Sequence, residues 1–497
     1  MKVSRLYLIS SSISFLYCIL TICFIDYLSV PWTDEIGTAD TAINVVLYGQ
    51  WKSDVWLYIY QPLHAFFLIP WIFIFGFSHA SVCSINVFIA FISSCYIIRI
   101  TERRKWFLSL GGLLIFISLF WLLVWHTNGR IDMLTMLFTI GVADNLIPDE
   151  GRSQMKMLAV MSFLLMMTSI YSIPVLVCGG LVLIYYYWKN RQIRLELTKK
   201  AICVTCSMTF AFILTLIFFY FDGHLIKYLH QFIRFNSTIN GANTSFVEQI
   251  VLAYSYWIPL FLTIIGMIFS SLKKDKLGII AGIFILFIPL IMIMSGRYKS
   301  YYYWLFIVPA IMLFAYSIDY LLNRKYLRII SYSVLFFYPA KCISSYINPS
   351  ESYYERIEKE EFIRGNTKYF RKGSEVYAFD AMFYYPLVEQ RAIINKEIRG
   401  MKKEPLPMEK FQNFANTIND NSKREIIVKL FNKIEKASEK EMKNGFIICF
   451  EDKQYRQDQC DMIINYLKSL DLKYSIVASK GNMRIIKFTQ KVNNHNI

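Results

Sequence analysis

Apolar segments of about 20 residues recur along the first 345 residues of the chain, and short polar loops separate them. A helix of about that length crosses the hydrocarbon core of a bilayer. The pattern predicts eleven spanning helices, at 6–26, 80–98, 106–125, 131–147, 156–171, 173–188, 201–221, 249–270, 277–296, 301–322 and 327–344. The apolar stretch at 63–76 is short for a span, so we interpret it as an interfacial or re-entrant segment that does not cross.

The polar positions divide the rest of the chain into an outer loop and a C-terminal tail. Residues 27–62 contain apolar positions at helical spacing, which predict a short amphipathic interfacial helix ended by Gly49: Ala39, Ala42, Ile43, Val46 and Leu47. Beyond residue 345 the apolar runs shorten. Strands are predicted at Glu375–Phe379, Gly445–Phe450, Tyr474–Ala478 and Met483–Phe488, with a helix at Asp458–Leu470.

The predicted fold class is therefore an α-helical polytopic membrane protein with a small extracytoplasmic α/β domain. The membrane domain covers 1–345, including a first outer loop at 27–79 with interfacial helices, and the second domain covers 346–497. A docking or structural role is expected for this second domain. Cys449 and Cys460 are the only cysteines of the tail, and the sequence leaves their pairing open.

Composition and charge agree with a membrane protein. The chain is 55% hydrophobic and 18% charged, whereas about 25% charge is usual in soluble proteins. The net charge of +17 does not indicate nucleic acid, because Lys and Arg cluster in loops predicted to face the cytoplasm. Lys2 and Arg5 place the N-terminus inside, and eleven spans place the tail outside. We expect a multi-pass protein of the inner or plasma membrane that contacts the lipid bilayer.

Acidic residues of the outer face are the first candidates for chemistry. Asp34 and Glu35 are adjacent near a membrane face, where carboxylates are costly unless they face water or bind something. They could form a general base and its orienting neighbour, or merely a solvated interfacial pair. Arg130 and Asp132 open the fourth span on the same side, and Asp132 could contact substrate or simply favour the helix N-terminus.

Polar and cationic residues of the same face are candidates for substrate binding. Gln61 and His64 flank Pro62, although a lone histidine is often only an interface residue. Arg297, Lys299 and Tyr303 lie in or beside a four-residue outer loop, where they could bind a lipid phosphate or form an aromatic belt with snorkelling cations. The sequence has no P-loop, G-x-G-x-x-G, H-E-x-x-H or metal-spaced Cys/His motif. No cofactor or metal is therefore expected.

Several of these stretches together resemble the GT-C glycosyltransferases, in particular the protein mannosyltransferase and aminoarabinose transferase branch. They are the Asp34–Glu35 pair with YGQW, then YIYQPLHAFFLIPWIFIFG, NGRIDMLTMLF and KSYYYWLFIVPAIMLFAYS. The resemblance covers residues 1–345. It implies that one sugar moves from a polyprenyl-phosphate carrier to an acceptor on the outer face. Asp34 matches the family's catalytic carboxylate, and Asp132 matches its second acidic position.

The chain departs from the family pattern at Gln61, where the family usually has Lys or His before Pro-Pro-Leu. Leu63 replaces the second Pro. The expected phosphate contact therefore moves to Lys299 or Arg297.

Three functions follow from these observations. The first is an inverting glycosyltransferase that uses a polyprenyl-phosphate sugar, with Asp34 as general base and a lipid, glycan or protein acceptor. The second is a transporter or flippase of a glycolipid or small solute, which would show internal repeats or paired broken spans, and the sequence shows neither. The third is a non-catalytic assembly or anchoring protein.

Overall fold

The structure is a computed structural model that describes 4–29, 31, 33–51, 62–103, 106, 109–124, 132–146, 155–168, 172–226, 228–229, 260–272, 276–294, 304–322, 328–347, 351–370, 375–378, 381–389, 393–395, 444–450, 460, 464, 467–468 and 472–489. Some residues of these helices and strands, Thr33 and Asp34 among them, are described for their backbone alone. By contacts the chain forms two compact units. Unit 1 is Met1–Val30, Tyr60–Leu225 and Ile239–Tyr353, and unit 2 is Pro31–Ile59, Ile226–Thr238 and Tyr354–Ile497.

Helices make up unit 1. In chain order they are α1 (Arg5–Cys23), α2 (Ile25–Leu28), α4 (Pro62–Phe75), α5 (His79–Arg103), α6 (Leu110–Val124), α7 (Asp132–Leu146), α8 (Met155–Thr168), α9 (Ser172–Lys189), α10 (Arg194–Phe221), α11 (Leu260–Leu272), α12 (Lys276–Met294), α13 (Trp304–Leu322) and α14 (Arg328–Ile347). Helix α3 (Thr33–Tyr48), between α2 and α4 in the chain, belongs to unit 2. The units thus place residues 31–59 with the tail, whereas the predicted domains assign them to the membrane part.

Each predicted span coincides with a helix, namely α1 or one of α5 to α14. Among the described residues, three helical segments are long and apolar enough to cross a membrane: Arg5–Cys23, His79–Arg103 and Arg191–Phe221. The number of spans stays a prediction. Helix α4 has 14 residues, as many as α8, so the interpretation of 63–76 as a segment that does not cross also stays a prediction.

The helices of unit 1 pack against one another in several pairs. Helix α5 packs against α1 and α7, α8 against α7 and α10, and α13 against α6, α11 and α12. Polar side chains join the first of these helices: the hydroxyls of Ser14 and Ser94 lie 2.5 Å apart, and Trp121 Nε1 donates to Ser14 Oγ at 3.1 Å. Hydrogen bonds of this kind hold helices together where lipid removes the hydrophobic driving force.

Unit 2 contains a five-stranded sheet. The strands are β1 (Glu375–Ala378), β2 (Ile393–Asn395), β3 (Asn444–Phe450), β4 (Lys473–Lys480) and β5 (Met483–Thr489), in the order β2-β1-β3-β5-β4. Strand β1 is parallel to β2 and β3, and β5 is antiparallel to β3 and β4. The four strands predicted in the tail are confirmed, and β2 is an addition that the sequence did not indicate.

Short helices and a disulfide complete unit 2. Helix α15 (Glu351–Gly365) precedes β1, and α16 (Tyr384–Glu389) follows it. The described residues of the helix predicted at 458–470 are helical: Cys460, Ile464, Leu467 and Lys468. Cys449 and Cys460 form a disulfide that ties this helix to the end of β3, which resolves the pairing left open by the sequence. Leu467 packs with Ile447, Ile486 and Phe488 in the core under the sheet.

Candidate functional site

The acidic pair lies in the first turn of a helix. Helix α3 begins at Thr33, so Asp34 and Glu35 follow at its N-terminal end, where carboxylates interact favourably with the helix dipole. The helix predicted in this loop is confirmed, and so is its end, because Gly49 follows it with a φ of +65°. Residues 35–40 are all buried, more completely than an interfacial helix with one apolar face would be. The Asp34 side chain lies outside the described atoms.

Glu35 is held by a tyrosine of the tail. Its side chain is 0% exposed, and the Tyr385 hydroxyl donates to Glu35 Oε1 at 2.6 Å. Tyr385 is itself buried, at 3% exposure. The interpretation of the acidic pair as merely solvated is therefore wrong for Glu35, since a buried carboxylate needs hydrogen-bond donors that a solvated one obtains from water.

A second carboxylate of α3 is held in the same way. The Tyr384 hydroxyl donates to Asp40 Oδ1 at 2.7 Å, and Asn44 Nδ2, one turn further along the helix, donates to Asp40 Oδ2 at 3.4 Å. Asp40 and Tyr384 are 4% and 2% exposed. Sequence reasoning missed the two tyrosines, because an aromatic pair at the start of a short helix is usually part of a hydrophobic core. The only available signal was that two adjacent tyrosines cannot both bury their hydroxyls without partners.

The segment that bears the tyrosines packs on α15. Lys359 Nζ lies 3.6 Å from Met382 Sδ and 5.9 Å from the centre of the Phe383 ring. Lys359 forms an ion pair with Glu355 on the same helix and is only 4% exposed. The side chain of Lys359 therefore supports residues 382–383, directly before Tyr384.

Asp132 in unit 1 lies where the sequence predicted it. Helix α7 begins at this residue, and the side chain is 1% exposed in the first turn. The position satisfies the helix-dipole interpretation, and it leaves the substrate contact a prediction.

His64 lies in the first turn of α4 and is fully buried. Neither of its ring nitrogens makes a hydrogen bond among the described residues, and Asn86 on α5 is its polar neighbour. Burial distinguishes His64 from an ordinary interface histidine. A buried imidazole whose nitrogens make no hydrogen bond can donate one and accept another when a polar group of a ligand comes close.

The remaining candidates lie outside the described residues. They are Gln61, Arg130, Arg297, Lys299 and Tyr303. The phosphate-binding role of the cations therefore stays a prediction.

A polar cluster at the start of α5 was not predicted. Ser29 Oγ and His79 Nε2 are 2.9 Å apart, and Cys83 Sγ lies 3.6 Å from His79 Nδ1. With Asn86, the residues Ser29 and Cys83 line a small cavity. These polar residues occur singly within apolar helices and form no recognisable motif, so the sequence did not identify the cluster.

A larger apolar cavity lies between α5, α7, α12 and α13. Its wall includes Ile97, Met136, Phe284 and Met312. The one charged residue of the wall, Asp144, forms an ion pair with Arg103 and accepts from the Tyr96 hydroxyl at 3.2 Å. Because its charge is engaged in this way, the cavity suits a hydrophobic ligand.

Two solved structures resemble the whole chain. One is ArnT from Cupriavidus metallidurans bound to undecaprenyl phosphate, with a TM-score of 0.61 and 11% sequence identity over 97% of each chain. The other is ArnT from the same organism in the apo state, with a TM-score of 0.62 and 12% identity, again over 97% of each chain. No protein-family model matches the sequence, and no curated protein matches it. The resemblance to the GT-C fold is confirmed at the level of the fold, and this fold together with the apolar helices supports an integral membrane protein.

Proposed function

We propose that this chain is a membrane glycosyltransferase that moves a single sugar from a polyprenyl-phosphate carrier to a lipid, glycan or protein acceptor. The observation that carries the proposal is the fold shared over 97% of the chain with ArnT, which was solved with undecaprenyl phosphate bound. The apolar cavity of unit 1 supports it, because a polyprenyl chain needs an apolar path of that kind.

The proposed reaction is a direct inverting displacement. The acceptor hydroxyl or amine transfers its proton to Asp34 while its oxygen or nitrogen forms a bond to C1 of the sugar. The bond between C1 and the carrier phosphate breaks, and its electron pair leaves with the phosphate. Arg297 and Lys299 stabilise the charge on this leaving group. Glu35 orients the acidic turn, and Asp132, His64, Gln61, Arg130 and Tyr303 bind substrate or complete the site. The donor is already activated, so the reaction needs no nucleotide, metal or other cofactor.

The proposed location is a bacterial-type inner or plasma membrane, with the N-terminus in the cytoplasm and the tail outside. The cysteines support this orientation. The two cysteines of the tail are joined, whereas the eight between Cys18 and Cys342 are free. Disulfides persist in oxidising compartments outside the cytoplasm.

The function is tested with the purified full-length chain in liposomes. Undecaprenyl-phosphate-linked mannose, glucose and 4-amino-4-deoxyarabinose are supplied with a membrane extract as acceptor source, and release of undecaprenyl phosphate is measured by mass spectrometry. We expect Asp34→Asn to lower the rate about 10²- to 10⁴-fold. Asp54→Asn, in the same outer segment but outside the motif, should keep the wild-type rate.

Two results would contradict the proposal. Full activity of Asp34→Asn would remove this residue from the role of base. The second result concerns liposomes that contain the wild-type protein. If they release no undecaprenyl phosphate from any donor but move a labelled glycolipid across the bilayer, the transporter is favoured.

A further inference from the structure

The tail and the acidic helix are joined by two buried hydrogen bonds from adjacent residues. Tyr385 donates to Glu35 and Tyr384 donates to Asp40, at 2.6 and 2.7 Å. All four side chains are 4% exposed or less. The partners are 350 and 344 residues apart in the chain, so only the tertiary fold brings them together, and all four belong to unit 2.

Burial increases the contribution of these two hydrogen bonds to stability. A carboxylate removed from water loses its hydration and must recover donors inside the protein. A tyrosine hydroxyl aimed at a carboxylate forms a short, charge-assisted bond, about twice as strong as a neutral one. Removal of the hydroxyl alone leaves the carboxylate buried without that donor, and this is more costly than loss of an exposed contact.

Two hydrogen bonds to α3 constrain its position more than a single one would. Glu35 and Asp40 are five residues apart on α3, which corresponds to about 7.5 Å along the axis and more than one turn. Bonds at both positions set the height of the helix and its rotation about its own axis. Asp34 immediately precedes Glu35, so the backbone of Asp34 follows the position of this turn.

The residues next to the two tyrosine donors are also packed. Met382 and Phe383 contact the buried Lys359 of α15, and the tyrosines come next in the chain. Asn44 holds the second oxygen of Asp40 from within α3. The tyrosines therefore connect a packed element of the tail to the first two turns of α3.

We propose that Tyr384 and Tyr385 are positioning residues through which the C-terminal part of unit 2 orients the acidic turn of α3, and with it Asp34. The inference rests on the proposed function for the role of Asp34, whereas the attachment of the helix is independent of that function. It gives the tail a part in transfer beyond docking.

The attachment is tested first by double-mutant cycles on the full-length protein, with the apparent Tm as readout. Tyr385→Phe and Glu35→Gln form one matched pair, and Tyr384→Phe and Asp40→Asn form the other. Each single phenylalanine variant should lower the Tm by roughly 2–5 °C. Each matched double variant should lower the Tm by less than the sum of its two single variants, and by a larger margin than the crossed pair Tyr385→Phe with Asp40→Asn. Additive matched pairs would overturn the proposal.

Hydrogen exchange tests the orientation of the turn without any substrate. Amides of residues 33–37 should exchange faster in Tyr385→Phe than in the wild type, because the turn loses one of its attachments. The matched control is Tyr369→Phe, which removes a hydroxyl that donates to the Val477 carbonyl of β4 at 3.0 Å in the same unit. Unchanged exchange at 33–37 in Tyr385→Phe would also overturn the proposal.

Transfer kinetics test the consequence for the reaction. Tyr385→Phe should lower kcat about tenfold to one hundredfold and leave the KM for the carrier within about twofold, because the donor site is intact and Asp34 is misplaced. Tyr369→Phe should keep the wild-type kcat. A wild-type kcat in Tyr385→Phe would overturn the positioning role. If the wild type transfers no sugar at all, the proposed function fails, and the cycles and the exchange rates alone decide the attachment.

Discussion

Gly266 should be a position where one added methyl group separates two helices. It lies on α11, and a Cβ placed there would collide with the backbone carbonyl of Leu313 on α13 and approach Ser317 Oγ to 2.6 Å. The obstacle is backbone, which cannot move aside alone. Ser317 Oγ also donates to the Leu313 carbonyl at 2.9 Å, so it cannot rotate away without breaking a buried hydrogen bond.

The magnitude follows from two opposing terms. Gly→Ala in a helix interior gains about 0.8–1 kcal/mol of helix propensity, and overpacking of a close contact costs about 1–3 kcal/mol. We expect Gly266→Ala to lower the free energy of unfolding by up to about 2 kcal/mol, and Gly266→Val to lower it further. Gly180 on α9 is the matched control, because a Cβ there meets nothing within 4 Å. Gly180→Ala should therefore be neutral or stabilising.

The apparent Tm of the full-length protein in nanodiscs measures this difference. Leu313 follows Met312, which lines the apolar cavity. Under the proposed function, displacement of α13 in Gly266→Ala should also weaken the binding of undecaprenyl phosphate. Equal Tm values for Gly266→Ala and Gly180→Ala would refute the close approach of α11 and α13. A lower Tm with unchanged lipid binding would retain the contact and separate it from the cavity.

Two further predictions concern a buried cation and the disulfide. Lys200, which is 1% exposed, donates to the carbonyls of Asn145 and Leu146 at the end of α7. Lys200→Met should lower the free energy of unfolding, measured by chemical denaturation, by about 2–3 kcal/mol. Lys199 is exposed, so Lys199→Met should lower it by less than about 0.5 kcal/mol. Equal effects would contradict the capping role of Lys200. Cys449→Ser with Cys460→Ser opens a link between residues 11 apart, which should cost unit 2 about 3 kcal/mol. Hydrogen exchange should then rise in β3 and stay unchanged in α5, and equal increases in both would contradict a local effect.

Local patterns predicted most elements of this chain, although not α2, α15 and α16. Apolar blocks marked α1 and α5 to α14, and short apolar runs marked β1, β3, β4 and β5. Gly49 marked the end of α3, because a helix that ends at a glycine uses its left-handed backbone conformation. These features depend on residues close together in sequence. Strand β2 escaped prediction because it has three residues and pairs in parallel with β1, which no local turn signal reveals.

The candidate site was predictable only in part. The acidic pair and Asp132 were found because carboxylates beside apolar helices are costly, and both lie in first turns of helices. The burial of Glu35 was not predictable, since its donor Tyr385 is 350 residues away. The same reason hid the contact between Ser29 and His79, whose side chains meet across 50 residues of chain.

The arrangement of unit 2 shows what the tail contributes to the acidic helix α3. A helix that exposes its carboxylates to water needs no partner, whereas α3 buries Glu35 and Asp40 and therefore requires donors from elsewhere. Helix α3 has Asn44 within reach of one oxygen of Asp40, and the tail supplies Tyr384 and Tyr385 for one oxygen of each carboxylate. Folding of the tail and order in the acidic turn should therefore be coupled. If they are, changes that weaken the tail far from any substrate will lower transfer by disordering residues 33–37, and the loss will track hydrogen exchange there more closely than lipid binding.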